Sequence, residues 1–320
     1  MAEKKQSANI KIEVKRFKFN PIIYPQMDES LGNNIAGPSL IRVPKWISEP
    51  LGHYYLYFSA HKGDYIRLAY ADKLEGPWHI YKKGTLRLEE SLFPTTPSKK
   101  LVKIAQDPTY KGPDESIPHI ASPDVHVLDE TKEIRMYYHG LLKNGRQMTR
   151  VARSKDGIHF VAEPKIISFP YLRVFNYDTW YYGMCMPGIF YRSQNGIDNF
   201  EQGPILFNRN MRHSALRVNK DQLQVFWTQV GDSPERILLS IIQLTKDWKY
   251  WEPTHPIEVL RPEKDWEGGN LEQKPSFRGA IIGPVCQLRD PTIYEEKNKI
   301  YLLYIVAGEF GIAISELKFN

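Results

Sequence analysis

The sequence predicts an all-β fold, a five-bladed β-propeller of four-stranded antiparallel blades, and three observations lead there. Windows that keep apolar residues at i, i+3, i+4 and i+7 are nearly absent, while short runs rich in Tyr, Ile, Leu and Val alternate with turn residues. These runs fall into groups of four, and the group recurs five times along the chain. The fifth group is one strand short at the C-terminal end, and 10–17 (IKIEVKRF) alternates apolar and polar, so it supplies the missing strand and closes the ring. A β-sandwich with Greek-key returns is the alternative architecture.

The first meander reads 38–44 (PSLIRVP), 53–60 (HYYLYFSA), 65–71 (YIRLAYA) and 77–82 (PWHIYK). The second reads 123–128, 134–142, 148–154 and 158–162, with K-D-G at 155–157 as a turn. A third, less regular cycle spans 171–177, 180–186, 189–193 and 199–202, with Asn195-Gly196 in the equivalent turn. The fourth uses 214–218, 222–230, 236–244 and 248–252, and the fifth uses 291–295, 299–306 and 311–317. Two long inserts, 83–117 and 253–285, are rich in Pro, Lys and Glu, and inserts in repeat proteins tend to share one face and line a binding site.

Composition narrows the function classes. With 320 residues, 42% apolar and 25% charged, the chain fits an ordinary globular protein, read as one propeller domain over 1–320. The net charge of +6 is mild and its basic residues are scattered, which argues against nucleic acid as a partner. No apolar run reaches the length of a membrane helix, and the Lys-rich start has no apolar stretch behind it, so neither a membrane nor signal-led export is expected. Cys185 and Cys286 sit in apolar contexts without metal spacing; they read as buried free thiols and suit a reducing, cytoplasmic setting. The oligomeric state is open.

In a propeller meander the first strand of each blade lies nearest the axis, and the turn between second and third strands returns to the face where that strand starts. Strand starts bring Asn34, His119, Asp124, Asp178 with Tyr177, Arg212 with His213, and Arg289 with Asp290 to that face. Returning turns bring His61, His139, Glu235 with Arg236, and Glu309. His and Arg interleaved with Asp and Glu at an axis describe a polar substrate pocket better than a solubilising rim.

Four short motifs carry a resemblance. A-D-K-L-E-G-P-W at 71–78 resembles the strand-three-to-four junction of glycoside hydrolase family 43, and R-S-K-D-G-I-H-F at 153–160 is similar to that junction in families 32 and 43. F-N-P-I-I-Y-P at 19–25 resembles the segment leading into blade one of these families and of family 130, and R-D-P-T-I-Y at 289–294 resembles their Asp-Pro strand starts. The chain is thus similar to the five-bladed propeller glycoside hydrolases (families 43, 32, 117 and 130) as an atypical member, and the resemblance implies carbohydrate in the central funnel. It departs at two places: family 43 has a base Asp before the Pro of blade one and another Asp before the Pro of blade two, where this chain has Gly37 and Ser122.

The expected activity is hydrolysis of a terminal or short, possibly acidic, sugar unit by paired carboxyl groups, one protonating the departing oxygen and one activating water or attacking carbon. Candidate catalytic residues are Asp124 with Asp178 or Asp290 as base and modulator, and Glu235 or Glu309 as acid. Asp124 could instead cap a turn, Asp178 could be a hydrogen-bonded core residue, and Asp290 could fix the blade start. Candidate substrate-binding residues are Asn34, His61, His119, His139, Tyr177, Arg212, His213, Arg236 and Arg289, with the arginines favouring an anionic group. No metal or cofactor is expected, since the histidines show no H-x-H or H-E-x-x-H spacing. Phosphorolysis, and sugar binding without cleavage, are the two alternatives raised by Gly37 and Ser122.

Overall fold

A computed structural model describes residues 11–106 and 115–320. It holds five four-stranded antiparallel sheets, each a simple meander. Blade one is β2 (Ala36–Arg42), β3 (Tyr54–Ser59), β4 (Tyr65–Ala71) and β5 (His79–Arg87), and blade two is β6 (Ile120–Leu128), β7 (Glu133–Leu141), β8 (Gln147–Ser154) and β9 (Val161–Ala162). Blade three is β10 (Arg173–Tyr177), β11 (Trp180–Cys185), β12 (Ile189–Ser193) and β13 (Glu201–Ile205), and blade four is β14 (Met211–Asn219), β15 (Gln222–Gln229), β16 (Ile237–Gln243) and β17 (Ile257–Leu260). Blade five is β18 (Arg289–Glu296), β19 (Lys299–Val306), β20 (Gly311–Phe319) and the N-terminal β1 (Ile12–Arg16), which pairs with β20 from Ile12 opposite Phe319 to Arg16 opposite Ser315. The ring therefore closes with the N-terminal strand, and the sandwich alternative is excluded.

The second strands explain why so many aromatic and branched residues are needed. Each is buried on both sides, so its odd and even positions serve two different neighbours. Tyr54, Leu56 and Phe58 face blade five, while Tyr55 and Tyr57 face blade two. Tyr301, Leu303 and Ile305 face blade one, while Leu302, Tyr304 and Val306 face blade four. The buried apolar residues accordingly form five clusters, one at each interface between blades.

One strand expectation fails. The run 248–252 is a short 3-10 turn (Trp248–Tyr250), capped by the Asp247 carboxylate accepting from the Lys249 amide, and the outer strand of blade four comes later as β17. Trp248 and Trp251 lie three apart and point the same way, both buried against Tyr182 of blade three, with ring centroids 5.6 and 5.0 Å from it. A turn satisfies that spacing and a strand does not. Part of the first insert, 107–114, and residue 10 of the closing strand lie outside the described residues.

A ring clasp adds to β1. Arg16 donates to both carboxylate oxygens of the fully buried Glu267 at 2.8 and 3.1 Å and to the Arg261 carbonyl at 3.1 Å, tying the closing strand to the second insert. Glu267 also accepts from the Tyr304 hydroxyl and from the Glu263 and Lys264 amides.

Candidate active site

Every blade begins with one residue in the left-handed backbone region: Gly37 (φ 61°), Ser122 (52°), Tyr171 (61°), His213 (46°) and Asp290 (42°). In four blades it sits inside a β-bulge, at the register breaks between Ala36 and Ser39, Ala121 and Asp124, Arg212 and Ala215, and Arg289 and Thr292. Bulges re-aim side chains, and repetition around the axis gathers these positions at one mouth of the channel. The circle is tight: a Cβ on Gly37 would stand 2.8 Å from the Ser122 Cα.

Asp290 is the carboxyl of that circle. It is 3% exposed; one oxygen accepts from the Gly37 amide at 3.2 Å, and the other, 3.7 Å from His213 Nε2, has no hydrogen-bond partner. Burial, reinforced by the charge of Glu309, pushes its pKa up and favours the protonated acid.

The returning turns supply the surrounding layer. Glu309, on the turn between β19 and β20, accepts from Arg289 Nη1 at 2.9 Å and faces His61 Nδ1 at 3.1 Å on one oxygen. Its other oxygen accepts from Asn34 Nδ2 at 2.5 Å and the Ile281 amide at 3.2 Å. Burial alone would raise this carboxyl, but the hydrogen bond and charge of His61, with Arg289 and Asn34, hold it below its ordinary range. Glu235 is fully buried, gripped through both oxygens by Arg212, with Arg289 Nε 3.4 Å away.

A row of rings completes the chamber. His119 and His139 lie 5.9 Å apart, His139 and Tyr171 4.5 Å, and Tyr171 and His213 5.5 Å. Burial drives His139 and His213 well below the usual imidazole range and His119 down to about 4, so all three are neutral at physiological pH. His139 is 1% exposed and its Nδ1 has no partner, so it and the free oxygen of Asp290 are two unsatisfied polar atoms at the two ends of one row of contacts.

The structure thus brings Glu235, Asp290, Glu309, Asn34, His61, His119, His139, Arg212, His213 and Arg289 together, and places four other candidates elsewhere. Asp124 is the first paired residue after the bulge, two beyond Ser122, and pins blade two to blade three, accepting from the Val174 amide at 2.8 Å and facing His126 Nε2 at 2.7 Å. Asp178 is exposed on the β10–β11 hairpin, at the opposite face, because first-to-second-strand turns always lie there. Tyr177 ends β10 at that face and packs into the interface with blade four. Arg236 turns outward to Glu258 (3.0 Å) and Asp232 (3.6 Å). With Arg212 and Arg289 also paired to carboxylates, the three arginines expected to attract an anionic sugar are all engaged within the chain.

The sequence reading passed over Tyr171 and Arg173. Arg173 donates across the channel to the Ser122, Pro123 and Ser214 carbonyls, each at 3.1 Å, and divides it in two. Below it a wide cavity of about 830 Å³ opens to the opposite face, floored by Ser39, Asp124, Arg173, Ala215 and Thr292. The signal was the X-Pro step at 37–38, 122–123 and 290–291, whose phase extends to 171–172 and 213–214. Among the described residues no group of three or more His, Cys, Asp or Glu has metal-holding geometry.

With this geometry in hand, comparison with known proteins places the chain. It is 35% identical to "Uncharacterized protein R118" of Acanthamoeba polyphaga mimivirus over 333 aligned positions, covering 95% of this chain and 90% of the viral one. The chain belongs to that protein's family. No family model matches it. Among solved structures it is similar to CoXyl43, a GH43 beta-xylosidase/alpha-arabinofuranosidase from a compost microbial metagenome, with TM-score 0.60, 13% identity and 96% of each chain covered. A putative glycoside hydrolase from Parabacteroides distasonis aligns with TM-score 0.58, 12% identity and 95% of each chain covered. The alpha-L-arabinofuranosidase of Lactobacillus brevis gives 0.55 at 11% identity, covering 94% of this chain and 93% of its own. The R118 family therefore shares the five-bladed propeller fold of the GH43 enzymes.

Proposed function

We propose that the chain is a glycoside hydrolase that cleaves a terminal or short, uncharged sugar unit in the chamber above Arg173. The observation that carries the reading is Asp290: a buried carboxyl, favoured in its protonated form, with one oxygen left without a partner and aimed at neutral imidazoles. Asp290 donates its proton to the departing glycosidic oxygen, and the anomeric carbon takes a water whose proton passes to Glu309, the carboxyl held ionised beside it. Glu235, fixed between two guanidiniums, positions Arg212 and Arg289. His139 and His213 hydrogen-bond sugar hydroxyls.

The activities of the fold neighbours make xylosides and arabinofuranosides the first substrates to try. The test is sugar release from a panel of aryl glycosides and oligosaccharides, with and without phosphate, by the wild type and Asp290→Asn. Phosphate-independent release that falls about 10²- to 10⁴-fold in the variant supports the proposal. Phosphate-dependent release would replace it with phosphorolysis. A second reading, sugar binding without cleavage, is favoured by Gly37 and Ser122 standing where the resemblance would place carboxylates; thermal stabilisation by a sugar without turnover would establish it.

A further inference from the structure

Arg212, Arg289, Glu309 and Asp290 are all buried, and a single stretch of chain bonds to the first three. At one end Ser276 is bonded to the turn of blade four: its amide donates to the Asp232 carbonyl at 3.0 Å, and its carbonyl accepts from Gly231 at 3.1 Å. At the other end the Val285 amide donates to the Ala307 carbonyl at 3.2 Å. Between these anchors the segment touches the site through its main chain. The Phe277 carbonyl accepts from Arg212 Nη1 at 3.0 Å, the Gly279 carbonyl from Arg289 Nη1 at 3.4 Å, and the Ile281 amide donates to Glu309 at 3.2 Å.

Three features show that this stretch is held by those bonds and little else. Gly279 (φ 112°) and Gly283 (φ 78°) adopt backbone geometry that disfavours side chains, and nothing lies within 4 Å of a Cβ built on either. Ile282 is 100% exposed and Phe277 57%, so their apolar surface contributes no burial. Ile281 alone turns inward, its side chain against Gly308. Arg278 ties the stretch to the blade-four side by donating to the Arg209 carbonyl. Among the buried groups of the site, Asp290 and His139 each keep a polar atom without a hydrogen-bond partner.

We propose that residues 277–283 are a lid, latched by Ile281 and the three main-chain bonds, whose opening removes one donor from Glu309 and admits a sugar to Asp290. This assigns a gate to the site and rests on the function proposed above for what enters. Opening exchanges the bonds to Arg212, Arg289 and Glu309 for bonds to water or to hydroxyls of the ligand, so a polyhydroxylated molecule can take over each of them.

The test needs neither turnover nor sugar, so its failure is separate from failure of the hydrolase reading. Carbethoxylation of His119, His139 and His213 by diethylpyrocarbonate, read by mass spectrometry, reports access to the chamber, and exchange of the Ile281 amide reports the latch. Both should proceed in the native protein at rates nearly independent of low denaturant, the sign of local rather than global opening. Arg278→Ala lies outside the site and should raise both rates together by about tenfold, with the unfolding midpoint unchanged. Histidine modification that follows global unfolding in the wild type overturns the lid. So does a variant in which the amide exchanges faster while the histidines stay unreactive.

Discussion

At Asp290, function and stability pull apart. The folded state holds its proton more tightly than the unfolded chain, whose carboxyl titrates near 3.8, so stability declines as pH rises from that value through the raised folded one. Asp290→Asn cannot ionise, so urea titrations across pH should lose this decline above 3.8, while turnover falls about 10²- to 10⁴-fold. Glu309 behaves oppositely: its lowered value adds stability above the unfolded 4.5, lost as pH falls through the folded value. Glu309→Ala leaves the fully buried Arg289 without its closest carboxylate and should cost about 3–5 kcal/mol in urea titration. The same urea experiment applied to Arg173→Met, which strands three channel carbonyls, should show a loss of roughly 3 kcal/mol or more.

Among the elements, the closing strand and the bulges mark what a sequence can and cannot reveal. β1 was legible because an isolated alternating run needs a partner, and only blade five lacked a strand. Glu235, Asp290 and Glu309 were legible because their phase in the meander follows from topology alone. Asp124 was misplaced because a bulge inserts one residue without disturbing the apolar pattern, so the mouth position is Ser122 and the next acid falls below it. Asp178 was assigned to a strand start, when its place at the end of β10 puts it on a hairpin at the other face. The lid was invisible for a different reason: it has no periodicity and is defined only by the side chains that catch its main chain. Arg16→Ala, which opens the clasp on Glu267, should cost roughly 3 kcal/mol, although Tyr304 and two amides still hold the carboxylate.

For the whole molecule, five interfaces of similar construction around one axis make stability a property of the closed ring. Each blade borrows half its apolar burial from either neighbour, so releasing one interface exposes surface on two. Calorimetry of Arg16→Ala should therefore show one transition at a lower temperature, without a separate early melting of blade five. The closeness of Gly37 to Ser122 carries this coupling into the site itself. A side chain at position 37 meets the main chain of the next blade, so no replacement at 122 makes room for it. An acid at position 37 would require blades one and two to move apart, and through the ring every other interface with them. Point mutation can alter the chemistry at His213 or Asp290, but at position 37 the architecture itself keeps side chains out.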